Sequence, residues 1–95
     1  MKKRILTFLT KDGRVAEVYI KRIYNKTRYE IRLKHKDYGL LDICGADNRE
    51  GAYEIVEDLL ATDLREGAVE IKGHPYYIVK FEEFLNKGGV SHASN

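Results

Sequence analysis

Residues Arg14 to Lys36 read RVAEVYIKRIYNKTRYEIRLKHK, and the alternation within them decides the fold. From Tyr29 to Lys36 the pattern is strict. Tyr29, Ile31, Leu33 and His35 lie on one face; Arg28, Glu30, Arg32, Lys34 and Lys36 lie on the other. Period two marks a strand with one buried side. In the preceding run Ala16, Val18 and Ile20 share a face, and Glu17, Tyr19, Lys21 and Ile23 share the opposite one. A two-residue turn at Asn25-Lys26 joins the strands, because Asn tolerates the left-handed backbone of a primed turn. That register sets Val18 opposite Leu33 and Ile20 opposite Ile31 on the inner side. Outside, Lys21 meets Glu30, Glu17 meets Lys34 and Tyr19 meets Arg32. Such pairs contribute about 0.2–1 kcal/mol each.

Upstream, Lys3 to Thr10 reads as a strand, with a tight loop at Asp12-Gly13. The loop places Ile5, Thr7 and Leu9 inside and Arg4, Leu6 and Phe8 outside. Downstream, Asp37-Tyr38-Gly39 forms a hairpin loop, and Leu40 to Cys44 a fourth strand with Leu41 and Ile43 inward. Asp47 then caps a helix over about residues 48–61, with Glu50 completing a capping box. Ala52, Ile55, Val56, Leu59 and Leu60 form its apolar stripe; Glu50, Glu54, Glu57 and Asp58 line its solvent side. Ala68–Lys72 and Tyr76–Lys80 pair as a hairpin around Gly73-His74-Pro75. Phe81, Phe84 and Leu85 have helical spacing, which predicts a short terminal helix closed by Gly88. The class is α+β: an antiparallel meander of four strands packed on one helix, plus a C-terminal hairpin and a short terminal helix. Residues 1–87 form the domain and residues 88–95 a flexible tail. In element order, residues 3–61 resemble Pur-type repeats and Whirly domains. That resemblance implies a sheet that takes single-stranded nucleic acid; no motif of either family aligns onto these residues.

Ninety-five residues, 43% hydrophobic and 34% charged, suit one folded domain with a modest core. No apolar run reaches the roughly 18 residues that a membrane span needs. The N-terminus begins like a signal peptide, but threonines break its short apolar run. A single cysteine excludes an internal disulfide and fits a reducing, cytoplasmic setting. The absence of Gln, with much Lys, Glu and Arg, leans toward a thermophilic source. The net charge of +2 hides a division: residues 1–37 carry +8 and residues 38–95 carry −6. Asymmetry of this kind marks a polyanion-binding face or mutual attraction of the halves.

The outer face of the meander collects Arg4, Phe8, Tyr19, Lys21, Arg32, Lys34 and Lys36. Aromatics among cations on a sheet stack bases and neutralise phosphates. The expectation is a non-enzymatic binder of single-stranded DNA or RNA. The alternative is a protein-interaction module, an adaptor or a mobile-element inhibitor, docking by the same face, a strand edge or the acidic helix. Outward Leu6, Phe8 and Tyr19 also suit a homodimer. No nucleophile–base or carboxylate pair can be placed together, so no catalytic residue is assigned. Cys44 reads as structural. His35, Asp42, Cys44 and His74 lack close ligand spacing, so no metal or other cofactor is expected.

Overall fold

The structure is a computed structural model that describes residues 1–88. The expected tail therefore lies, beyond Gly88, outside the described residues. The elements are β1 (Lys2–Thr10), β2 (Arg14–Ile23), β3 (Lys26–His35), β4 (Gly39–Ala46), α1 (Arg49–Arg65), β5 (Val69–Gly73) and α2 (Pro75–Asn86). The five strands form one antiparallel sheet in the order β4-β3-β2-β1-β5. The class is α+β, as the alternation implies. After β4, the chain crosses the inner face as α1 and returns at the opposite edge as β5. Both helices cover that face. Ala16, Val18 and Ile31 of the sheet are buried with Ala52, Tyr53, Val56 and Leu60 of α1 and Phe81 and Phe84 of α2. Phe81 meets Phe8 at 4.9 Å and Tyr53 at 5.2 Å, edge-on, a geometry that adds about 0.5–1.5 kcal/mol per pair. Among the described residues no helix is long and apolar enough to cross a membrane.

The hairpin loops differ from the sequence expectation, and each difference has a consequence. Between β2 and β3 the turn is Tyr24-Asn25, not Asn25-Lys26, with both residues at positive φ (51° and 64°) as a type I′ turn requires. The shift is two residues, so faces are kept. Val18 now pairs with Ile31, and Ala16 with Leu33. Between β1 and β2 the loop is Lys11-Asp12-Gly13, one residue longer than expected, with Gly13 at φ 90°. Thr10 and Asp12 close it through their side chains, and Arg14 N–H donates to Thr10 Oγ1 at 3.0 Å. One added residue inverts a strand. Leu6 and Phe8 are consequently fully buried, opposite Val18 and Ala16, rather than outside. A bulge at Ile5 restores the original sense further upstream, so Arg4 still faces outward beside Tyr19. Burying Phe8 and Leu6 stabilises by about 1.5–3 kcal/mol each, which selects this register over one that buries Thr7.

Between β3 and β4 the loop is Lys36-Asp37-Tyr38, ahead of Gly39 at φ 78°. That two-residue shift in pairing keeps the faces, but a bulge at Leu41 inverts the strand beyond it: Cys44 pairs with Ile31 on the inner side, while Leu41 and Ile43 are about half exposed. Asn48, not Asp47, caps α1, its Oδ1 accepting from Gly51 N–H at 2.7 Å. Glu50 thereby falls one position short of a capping box. The helix continues past 61 to Arg65, through a departure from helical geometry at Leu60, and Glu57 is buried rather than on the solvent side. The expected C-terminal hairpin is instead a strand and a helix. His74 Nδ1 accepts from Tyr76 N–H at 3.1 Å, and Pro75 occupies the first helical position, where its missing N–H costs nothing. Tyr77, Ile78, Phe81, Phe84 and Leu85 then recur at helical spacing toward the core. Gly88 ends the helix at φ 84°.

Candidate nucleic-acid interface

Among the described residues no helix covers the outer face of the sheet, and the centre of that face is built around two carboxylates. Glu17 on β2 and Glu30 on β3 point outward by strand parity, yet their side chains are only 7% and 12% exposed. What covers them is cationic. Glu17 accepts from Arg4 Nη1 at 3.0 Å, Lys34 Nζ at 2.9 Å and the Tyr19 hydroxyl at 3.0 Å. Glu30 accepts from Lys2 Nζ at 2.8 Å, Lys21 Nζ at 3.2 Å and Arg32 Nε at 2.6 Å. Tyr19 lies between the groups, with Lys2 Nζ 4.7 Å and Arg32 Cζ 5.8 Å from its ring centroid. Five cations thus surround two carboxylates, a surplus of three positive charges on one open face.

The electrostatics follow. The hydrogen bond from Lys2, then that from Arg32, hold the Glu30 carboxyl at about 2, against the opposing pull of burial. For Glu17, burial pushes the carboxyl up, but hydrogen bonds from Lys34, Tyr19 and Arg4 outweigh it and leave it below its ordinary value. Both stay ionised and hold the cations in fixed positions. Each cation retains N–H donors beyond the one that its carboxylate takes.

Of the expected site residues, Arg4, Tyr19, Lys21, Arg32 and Lys34 come together here. Phe8 does not; it is in the core, because the longer β1–β2 loop inverts that part of β1. Lys36 does not either. It belongs to the β3–β4 loop, its stem so close to Gly13 that a Cβ there would meet it at 2.9 Å. The expected pairs Lys21–Glu30, Lys34–Glu17 and Arg32–Tyr19 all form, but diagonally, since the β2–β3 register differs by two residues. Lys2 was missed, and only a register linking β1 to β3 across β2 reveals it.

Of the other candidate groups, Cys44 and Asp42 meet, the thiol donating to Asp42 Oδ2 at 3.7 Å, and the two histidines lie elsewhere. His35 lies near Tyr38 at one end of the sheet, and His74 caps α2. Burial, then the Asp42 carboxylate, push the Cys44 thiol up, the opposite of activation. Among the described residues no three His, Cys, Asp or Glu side chains cluster as metal ligands. Comparison of the chain with protein-family models, with curated proteins and with solved structures finds no match.

Proposed function

We propose that this chain is a small non-enzymatic binding protein whose open sheet face takes the phosphate backbone of a single-stranded nucleic acid. One observation carries the reading: five cations from three strands are pre-positioned by two covered carboxylates, with a surplus of three positive charges. Pre-positioning lowers the ordering cost when phosphates arrive. A sheet face suits a flexible single strand, which can splay across it. With Phe8 in the core and Tyr19 already flanked by cations, the centre of the face binds by charge rather than by stacking.

The test is a salt titration of oligonucleotide binding. A surplus of three charges gives a log–log slope of about −2 on a single strand. Arg32→Ala is expected to weaken all sequences alike and make the slope shallower by roughly 0.7. No measurable binding at low salt would remove the reading.

A second reading, docking of a protein partner or a second copy, has its own observation. β4 is an open edge strand on which Leu40, Leu41 and Ile43 are 51%, 48% and 48% exposed. Edges of this kind accept an added strand. The acidic face of α1 supports such docking less, because Glu57 is buried within it.

A further inference from the structure

We infer that the projecting tip of the β2–β3 hairpin is the base-contacting part of this interface, with the Tyr24 ring as the stacking group. The inference rests on the nucleic-acid reading of the sheet face and adds where bases, rather than phosphates, are held.

The hairpin outruns β4. On one side β1 pairs with β2 through Lys2, opposite Lys21, and Met1 exchanges two hydrogen bonds with Arg22; on the other, β4 ends at Ala46, opposite Tyr29. Past the end of β4, residues 26–28 carry β3 on to the turn, a reach of about 10 Å. At the tip Tyr24 is 97% exposed and sits at φ 51°. A bulky aromatic in the left-handed region is an outlier, since the Cβ crowds the backbone there. Asn or Gly would make the same turn without that crowding. The ring gains no packing in return, so folding alone does not account for it. Strain of this kind concentrates at functional positions.

The surroundings fit a nucleotide. Lys26 and Arg22 are exposed beside the tip, and Arg28 is half exposed with Asp47 at 2.9 Å. Just below, a shallow depression of about 350 Å³ lies among Ile23, Ile43, Lys21, Arg28 and Gly45. Ile23 and Ile43 are both 48% exposed. Apolar walls next to cations suit a base whose phosphate continues onto the Glu30 cluster. An aromatic platform among cations is the arrangement that holds single strands with little sequence preference.

The experiment compares wild type, Tyr24→Asn and Tyr24→Phe, using a labelled single-stranded oligothymidylate and a duplex of mixed sequence. Tyr24→Asn is expected to raise the melting temperature by a few degrees, because Asn accepts the left-handed backbone. It is also expected to weaken single-strand binding about tenfold, leaving duplex binding and the salt slope unchanged. Tyr24→Phe keeps the ring and is expected to bind like wild type. Unchanged single-strand affinity in Tyr24→Asn overturns the inference while leaving the sheet-face reading in place. Equal loss on duplex and single strand overturns base stacking. A wild-type protein that ignores both probes at low salt overturns the sheet-face reading, and the tip inference falls with it.

Discussion

At the scale of single residues, the decisive groups are Glu17 and Glu30. The sequence shows them as acids at outward strand positions between cations, and two of their five ion pairs, Glu17–Lys34 and Glu30–Lys21, were legible from the alternation and the expected turn; those with Arg4, Lys2 and Arg32 were not. Nor was the near-complete covering of the two carboxylates, because it depends on Lys2 reaching across β2 over the Tyr19 ring. The Glu30 carboxyl, ordinarily near 4.5, titrates at about 2 in the folded protein. A depressed pKa contributes stability that is present above the ordinary value and is lost as pH falls through the folded one. Wild type is therefore expected to exceed Glu30→Gln in melting temperature at neutral pH, with the gap closing between about pH 4.5 and pH 2. Asp12, also held at about 2 by Thr10 and Arg14, titrates equally in both proteins and cancels from the comparison. Thermal melts across that range check it; a gap independent of pH would mean that Glu30 matters only by its shape.

At the scale of elements, loop length and bulges govern what the alternation means. The pattern in β2 and β3 was legible because a two-residue slip leaves both faces in place. For β1 and β4 the strands themselves were legible, but not the side each buries. For β1 a single residue in a loop decides that, the choice between Asp12-Gly13 and Lys11-Asp12-Gly13 resting on side-chain closure by Thr10 and Asp12; for β4 a bulge at Leu41 decides it. The β1 error carried Phe8 into the expected site. In the C-terminal segment Pro75 reads as a turn residue, whereas its role at the start of α2 depends on His74 turning its ring back onto the Tyr76 N–H. The bulge in β4 also turns Ile43 outward, leaving it exposed with Leu40 and Leu41 on an open edge. If that edge takes a second copy, wild type is expected to sediment as a dimer and Ile43→Lys as a monomer of unchanged fold. Wild type sedimenting as a monomer at high concentration would end the second-copy form of that reading.

At the scale of the whole molecule, the charge division along the chain becomes a division between layers. Residues 1–37, at +8, supply β1 to β3 and thus the centre of the open face. The acidic remainder supplies the two edge strands, β4 and β5, and both helices, on which Glu50, Asp58, Glu82 and Glu83 are exposed. A molecule polarised in this way approaches a polyanion sheet first, and its helical layer is repelled. The most direct test is a map of backbone amide shifts in isotope-labelled protein titrated with a single-stranded oligonucleotide at low salt. The expected result is a continuous set of shifts along β2 and β3, from Lys34 and Arg32 past Tyr19 and Lys21 to Tyr24, with α1 and α2 unmoved. Shifts confined to the helices, or none at all, would contradict the assignment of the sheet face.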